Sequence, residues 1–140
     1  MLLRTFQLSD YAPVTELLAE VLTESCYDET IGALARQLKW DSDLVTVAEA
    51  DEQIVGIIIG TIDNNKGYYY RIAVGQAYQR RGIGKALVEN LKQKFVQRKV
   101  SRILVTADPH NEPILPLYES LGYRATDFLR SFSKLSIMNG

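Results

Sequence analysis

The first forty positions alternate between apolar and polar residues in a way that predicts a short strand followed by two amphipathic helices. Residues 2–7 favour a strand, and Ser9 and Asp10 then offer capping side chains and a negative charge where a helix begins. We expect the two helices to be separated by a break at Tyr27 and Asp28. The apolar positions at helical spacing are Val14, Leu17, Leu18, Val21 and Leu22 in the first helix and Ile31, Leu34, Ala35 and Leu38 in the second.

The pattern then changes to short β-branched runs, which are typical of strands. Residues 44–48 and 54–62 are separated by the polar residues 50–52 and predict an antiparallel hairpin. A turn cluster at 63–67 leads into a third strand over 68–74. These three strands form a predicted meander.

The second half of the chain returns to a helical period and then alternates. A crossover from strand 68–74 through a helix predicts that the next strand runs parallel to it. The remaining predicted elements are a helix over 82–99, a strand over 103–106, a helix over 113–121 closed by Gly122 in a left-handed conformation, and one or two strands within 123–137. The expected order is β α α β β β α β α β(β), an α/β fold with a mixed central sheet and a single domain over residues 1–140.

Composition excludes several classes of protein. The chain is 46% apolar and 24% charged, which argues against disorder, and its longest apolar run is far shorter than the roughly 20 residues of a membrane span. Its first residues do not resemble a secretion signal. One cysteine and one histidine exclude an internal disulfide and leave too few ligands for a zinc site, so we expect a cytoplasmic protein without a metal.

The net charge of −1 conceals a division along the chain. Residues 1–63 contain 12 acidic and 3 basic side chains, whereas residues 79–102 contain 1 acidic and 8 basic ones. The basic block lacks the interleaved aromatic residues typical of nucleic-acid binding, so we expect no nucleic-acid partner. The basic block at residues 79–102 leads us to consider a smaller anionic ligand.

The segment from Ile72 to Leu87 predicts a strand, a turn and a helix start with the features of a phosphate site. Gly82 and Gly84 leave room for backbone N–H groups to approach an anion, and a helix start adds unpaired amides and the positive end of its dipole. The segment lacks the third glycine of the dinucleotide fingerprint, and it lacks the first glycine of the phosphate loop of nucleotide triphosphatases. Arg80, Arg81 and Lys85 place positive charge at the same point.

Two blocks of sequence resemble the GNAT superfamily of N-acetyltransferases. The first is V-x-x-x-Y-Q-R-R-G-I-G-K-A-L over 74–87, and the second is N-x-x-x-x-x-L-Y-x-x-x-G-Y over 111–123. The order of predicted elements agrees with the resemblance, which extends over nearly the whole chain.

The resemblance implies that acetyl-CoA is the co-substrate and that strand 68–74 splays away from strand 103–106. The freed backbone of the first strand would pair with the pantetheine arm, the turn would hold the pyrophosphate, and Asn111 would contact the pantetheine or cap the last helix. The implied cofactor-binding residues are Ile72, Ala73, Val74, Gln79, Arg80, Arg81, Gly82, Ile83, Gly84, Lys85 and Asn111.

The same resemblance places Tyr118 near the sulfur, and we expect it to act in catalysis. Amide formation expels a thiolate that must be protonated or hydrogen-bonded as it leaves, and a phenol can do either. The alternative is a core tyrosine that packs beside Leu117 and Leu121.

The general base is left open. Many members of the superfamily place a glutamate on the central strand, but the sequence Tyr-Tyr-Tyr-Arg-Ile over 68–72 has no carboxylate. Asp108, Glu24 and Glu29 are candidates, and relay through water or capture of the neutral amine are equally compatible.

The expected function is transfer of an acetyl group to a primary amine. The acidic helical pair, which borders the acceptor cleft in this superfamily, favours a small cationic amine over a protein N-terminus or lysine. A non-catalytic acyl-CoA sensor is the alternative from another class. The resemblance implies a homodimer through the last strands, which is common in the superfamily, although residues 124–140 give no decisive pattern.

Overall fold

In the computed structural model, which describes residues 1–130 and 135–139, the strands form one sheet of six in the order β1-β2-β3-β4-β5-β6. The strands are β1 (Leu2–Thr5), β2 (Val45–Ala50), β3 (Gln53–Asp63), β4 (Lys66–Val74), β5 (Arg102–Thr106) and β6 (Phe128–Leu129). The α-helices are α1 (Tyr11–Val21), α2 (Glu24–Asp41), α3 (Ile83–Gln97) and α4 (Leu115–Ser120).

The predicted α/β class and the predicted order of elements are confirmed. Strands β1 to β4 pair antiparallel, and β5 pairs parallel with both β4 and β6, so the sheet is mixed. Two-residue turns join β2 to β3 and β3 to β4. All four turn residues, Asp51, Glu52, Asn64 and Asn65, have positive φ, which suits the right-handed twist of the strands.

Helices cover both faces of the sheet, and two apolar cores result. Helices α1 and α2 pack on one face with the side chains of Tyr68 and Tyr70. Helices α3 and α4 pack on the other face with Tyr69 and Ile72. Alternation along β4 thus divides its aromatic side chains between the two layers.

The sheet opens between β4 and β5. Their pairing runs from Lys66 and Arg102 to Tyr69 and Val105, whereas β4 continues to Val74 without a partner on that side. A change of register with β3 makes Tyr70 an extra residue in β4, a β-bulge at the point where the two strands separate.

The boundary between the first two helices differs from the prediction. Tyr27 and Asp28 lie inside α2, which begins at Glu24 and is capped by Thr23, whose hydroxyl accepts a hydrogen bond from the Cys26 amide at 3.3 Å. Aromatic and acidic residues are tolerated in a helix, and a threonine cap is the stronger local signal.

Asp10 also differs from its predicted role, because it makes no side-chain hydrogen bond to α1. Its carboxylate accepts the Gln7 amide at 2.8 Å and two hydrogen bonds from Arg4, so it closes the short 3₁₀ turn before the helix.

The last elements are shorter than predicted. Residues 112–114 form a 3₁₀ turn, and α4 starts only at Leu115, one residue before Pro116. Gly122 has the expected left-handed conformation. Of the one or two strands predicted within 123–137, β6 is present and residues 136–138 form a 3₁₀ turn, while positions 131–134 lie outside the described residues.

Within residues 1–130 and 135–139, no helix is both long and apolar enough to cross a membrane.

Candidate functional site

A cavity of about 350 Å³ lies at the end of β4 that has separated from β5. Its walls are the end of β4 that has no partner on the β5 side, the following loop with the start of α3, Ile114 in the 3₁₀ turn before α4, and Leu117 in α4. Of the residues predicted to bind the cofactor, Ile72, Ala73, Val74, Gln79, Arg80, Gly82, Ile83, Gly84 and Lys85 line this cavity. Arg81 and Asn111 do not.

The start of α3, which lines the cavity, has backbone amides without helical partners. Gly82 has φ +82°, a left-handed conformation that glycine adopts without a steric penalty, and Arg80 has φ +64°. The first hydrogen bond of the helical ladder runs from the Ala86 amide to the Gly82 carbonyl. The N–H groups of residues 83–85 therefore have no partner within the helix and are able to bind an anion.

Gly84, in the first turn of α3, lies close to Leu117 of α4. A Cβ at this position would come within 3.2 Å of Leu117 Cδ2 and within 4.0 Å of side-chain atoms of Ile72 and Val74. A larger residue would therefore narrow the cavity.

Arg81 has a different environment from its basic neighbours. Its guanidinium lies 5.2 Å from the centroid of the Tyr78 ring, a cation–π contact, and the Tyr78 hydroxyl donates to Asp51 at 3.0 Å. Arg80 and Lys85 line the cavity directly.

Tyr118 is buried at 2% exposure, on the α3 and α4 face of the sheet. Its ring stacks on Tyr69 with centroids 5.4 Å apart and meets the edge of Tyr123, while the hydroxyls of Tyr69 and Tyr123 lie 2.7 Å apart. Burial raises the pKa of Tyr118, and the nearby positive charge of Arg71 partly offsets this. The phenol is therefore protonated at neutral pH, and its O–H makes no hydrogen bond to any residue that the structure describes.

Arg71 is the centre of a buried polar network on the α2 side of the sheet. The side chain is 2% exposed, although it follows three tyrosines in the middle of β4. Its donors reach Thr30 Oγ1 at 2.9 Å, Asn111 Oδ1 at 2.7 Å, Asp108 Oδ1 at 3.2 Å and the Tyr70 hydroxyl at 3.1 Å, and Glu29 forms an ion pair at 3.7 Å.

Asn111 connects the two strands where they separate. Its amide nitrogen donates to the carbonyl of Tyr70 in β4 at 2.8 Å and to the carbonyl of Thr106 in β5 at 2.6 Å. With Arg71 on its oxygen, the side chain has three protein partners. Contact between Asn111 and a cofactor stays a prediction.

Two of the three candidate bases lie beside Arg71, and the third does not. Asp108 and Glu29 both pair with Arg71, and Glu29 Oε2 lies 3.6 Å from Nε2 of His110. Glu24 is exposed at the start of α2 and does not join this network.

Sequence reasoning missed Arg71. The signal was an arginine inside an otherwise aromatic and apolar strand, since a charged residue is almost never fully buried unless it is paired.

A larger groove of about 710 Å³ lies beside the cavity and shares Tyr78 with it. It runs between α1 and the β2–β3 hairpin. Its charged residues are five carboxylates and one arginine, which pairs with two of those carboxylates: Asp10, Glu16, Glu20, Glu49, Glu52 and Arg4. The groove therefore carries net negative charge.

Comparison with known protein families gives a match over most of the chain. The model of the acetyltransferase (GNAT) family matches residues 11–123, which include both sequence blocks and the whole cavity.

Solved structures share the fold at low sequence identity. An aminoglycoside antibiotic 6′-N-acetyltransferase from Acinetobacter haemolyticus superimposes with a TM-score of 0.73 at 18% identity, over 96% of this chain and 99% of that one. A transcriptional regulator from Bacillus halodurans gives 0.70 at 20% identity, over 96% and 97%. Diaminobutyrate acetyltransferase from Paenibacillus lautus, solved with its substrate and coenzyme A, gives 0.66 at 22% identity, over 86% and 73%.

Proposed function

Since the chain belongs to the GNAT acetyltransferase family, we propose that it transfers an acetyl group from acetyl-CoA to the nitrogen of a primary amine, and that this amine is small and cationic. The observation that carries the proposal is the cavity at the split between β4 and β5, which joins unpaired strand backbone to the amide-rich start of α3. A cytoplasmic location is part of the same proposal.

The residues around the cavity suit the parts of acetyl-CoA. The free edge of β4 from Ile72 to Val74 offers N–H and C=O groups that an extended pantetheine arm would pair with, as another strand would. The amides of residues 83–85, with Arg80 and Lys85, would bind the pyrophosphate.

Tyr118 would act as the general acid that protonates the departing thiolate. The amine nitrogen attacks the thioester carbon, the C–S bond breaks, and the Tyr118 hydroxyl donates its proton to the thiolate. The buried phenol is protonated at neutral pH, and its O–H has no acceptor among the described residues, so it is free to donate to the thiolate. The ammonium loses one proton to solvent before the neutral amine attacks. The nitrogen loses a second proton as the amide forms, and this proton returns the phenol to its protonated state through solvent.

The charge around the site supports a cationic acceptor. The acidic groove adjoins the cavity at Tyr78 and would raise the local concentration of an ammonium ion. Two solved relatives of similar fold are named for acceptors that carry several amino groups, an aminoglycoside and diaminobutyrate.

The test is release of free thiol from acetyl-CoA across a panel of acceptors. The panel contains diamines, polyamines, amino acids and an aminoglycoside, with short peptides that have free N-termini or lysines. Turnover of small polycationic amines above peptides supports the proposal, and the reverse order assigns a protein acceptor. Stoichiometric binding of CoA without turnover of any acceptor would establish a binding module instead.

A further inference from the structure

The loop between β4 and α3, residues 75–82, is a common wall of the acidic groove and the cofactor cavity. Residues 75–77 line the groove, residues 79 and 80 line the cavity, and Tyr78 lines both. A contact that fixes the loop from the groove side therefore also fixes the surface that the loop turns toward the cavity.

The loop begins with a short turn that has no cap of its own. Residues 76–78 form a 3₁₀ turn, and the residue before it is Gly75, which has no side chain to accept the first amide of the turn. Glu20 in α1 accepts that amide instead, with Oε2 3.0 Å from the backbone nitrogen of Gln76. The cap of the turn thus comes from a residue 56 positions earlier in the chain.

The loop lies directly against α1 at this point. The Gly75 amide donates to the carbonyl of Val55 at 2.8 Å, which continues the pairing of β3 with β4. A Cβ on Gly75 would lie 3.5 Å from Leu17 Cδ1 and 3.6 Å from Glu20 Oε2. The chain therefore enters the loop from a fixed position, and Glu20 holds the next residue.

The far end of the turn is tied to two other parts of the molecule. The Tyr78 amide donates to the Gly75 carbonyl at 2.8 Å, and the Tyr78 hydroxyl donates to Asp51 in the turn between β2 and β3 at 3.0 Å. The side-chain amide of Gln79 donates to the carbonyl of Val74 at 3.0 Å. Together with Glu20, these contacts fix residues 75–79 before the chain reaches the anion-binding segment.

The residue that follows needs this support. Arg80 has φ +64°, a left-handed conformation that is unfavourable for a residue with a Cβ. Such a conformation persists only where the surrounding structure holds it. Arg80 itself lines the cavity, and the amides of residues 83–85 follow it closely. Their position relative to a bound anion therefore depends on the contacts that fix residues 75–79.

We propose that Glu20 is a positioning residue for the cofactor, which acts by capping the turn at Gln76 and so fixing the loop that carries Arg80. Glu20 does not line the cofactor cavity, and its effect passes through the Gln76 amide. The inference rests on the proposed binding of acetyl-CoA. It assigns the effect to the acceptor oxygen of Glu20 and not to its charge, since a negative charge does not favour a nearby anion.

Glu20→Ala and Glu20→Gln form the direct test. The alanine removes the acceptor, so the Kd of acetyl-CoA in calorimetric titration should rise roughly three- to tenfold, as expected for one hydrogen bond. The glutamine removes the charge but keeps an oxygen for the Gln76 amide, so it should restore the Kd to within about twofold of the wild-type value.

Glu16→Ala is the matched control. Glu16 lies one turn earlier in α1 and lines the same groove, but it makes no hydrogen bond to residues 75–82, all of which the structure describes. Its removal deletes the same charge from the same wall, and the Kd of acetyl-CoA should change by less than about twofold.

Steady-state kinetics separates positioning from a general loss of structure. With the acceptor identified in the thiol-release panel, KM for acetyl-CoA should rise in Glu20→Ala while kcat changes by less than about twofold. The three variants lose the same groove charge, so any effect on KM for the amine should be equal among them. A fall in kcat with an unchanged KM for acetyl-CoA would contradict positioning.

A measurement without cofactor separates the inference from the proposed function. The backbone amide signals of Arg80 and Gly82 are compared in ¹⁵N-labelled wild type and in each variant. If Glu20 fixes the loop through its oxygen, these signals shift in Glu20→Ala and stay at their wild-type positions in Glu20→Gln and Glu16→Ala.

The outcomes are distinct. Wild-type binding of acetyl-CoA with an unchanged Kd in Glu20→Ala, or equal weakening in Glu20→Ala and Glu20→Gln, would overturn the inference and leave acetyl transfer standing. No binding of acetyl-CoA to the wild type, with amide shifts in Glu20→Ala alone, would keep the positioning of the loop by Glu20 and overturn the proposed function. Absence of both binding and shifts would overturn both.

Discussion

Nη1 of Arg71 donates a 2.7 Å hydrogen bond to Oδ1 of Asn111, across the point where β4 and β5 separate. The contact orients Asn111 so that its NH₂ group reaches one carbonyl on each strand. A buried cation and a buried amide thus replace the backbone ladder at the end of the paired region. The two strands are thus connected at the split by side chains that do not line the cavity.

Asn111→Ala should destabilise the fold. The change leaves two strand carbonyls and one guanidinium N–H without partners in a buried site, so we expect the free energy of unfolding to fall by about 3 kcal/mol. Urea denaturation followed by circular dichroism measures this. Asn90→Ala is the matched control, because that residue forms one partly exposed hydrogen bond with Thr46, and it should cost less than about 1 kcal/mol. Equal effects of the two changes would show that the network does not stabilise the split.

Tyr118→Phe should separate catalysis from packing. If the hydroxyl protonates the leaving thiolate, kcat falls by roughly 10²–10⁴ while the affinity for acetyl-CoA stays nearly constant. The hydroxyl has no partner among the described residues, so the thermal unfolding midpoint should hardly change. Stopped-flow thiol release and calorimetric titration of acetyl-CoA give the two quantities.

Tyr123→Phe provides the control for that experiment. It removes the hydroxyl contact with Tyr69 at 2.7 Å and should cost about 1 kcal/mol of stability with little effect on kcat. An unchanged rate in Tyr118→Phe would assign Tyr118 to the aromatic core.

Alanine substitutions of the three basic residues at 80, 81 and 85 should weaken acetyl-CoA binding to different degrees. Arg80 and Lys85 line the cavity, so Arg80→Ala or Lys85→Ala should weaken acetyl-CoA binding by roughly ten- to hundredfold. Arg81 packs over the Tyr78 ring, and Arg81→Ala should weaken binding by less than about threefold. Titrations at two salt concentrations measure these effects, which should be smaller at high salt. A larger loss for Arg81 than for Lys85 would contradict this assignment.

Asp10 should make stability depend on pH in acid. Hydrogen bonds from Arg4 hold the pKa of the Asp10 carboxyl below its ordinary value of 3.8, and the Gln7 amide adds to the effect. Because the folded-state pKa is depressed, the stabilisation is fully present above the ordinary value and is lost as the pH falls through the folded-state pKa.

Asp10→Asn tests this linkage. The variant should be less stable than the wild type by about 2 kcal/mol at pH 7, and the difference should shrink between pH 4 and pH 2 in chemical denaturation. A difference that stays constant down to pH 2 would show that ionisation of Asp10 does not contribute.

The local features of the site could be predicted from the sequence because they depend on neighbouring residues. Gly82 specifies the turn by its left-handed backbone conformation. Gly84 allows the close contact with α4 because it has no side chain, and Lys85 follows in the first turn of α3. Strand periodicity likewise predicted β3, β4 and β5 to within two residues at each end. The break between the first two helices was misplaced because Thr23, a single capping residue, outweighed the polar pair at Tyr27 and Asp28.

The Arg71 network depended on tertiary structure. Its members come from α2, β4 and the loop after β5, positions up to 82 residues apart from Glu29 to Asn111, and no local pattern connects them. Asp108 and Glu29 were two separate candidates in the sequence, and the fold made them partners of one buried arginine. Periodicity and backbone conformation are properties of adjacent residues, so the sequence by itself determined the fold class and the glycine turn at the start of α3. Only the folded chain decides which distant charges meet, as Asp108 and Glu29 do at Arg71.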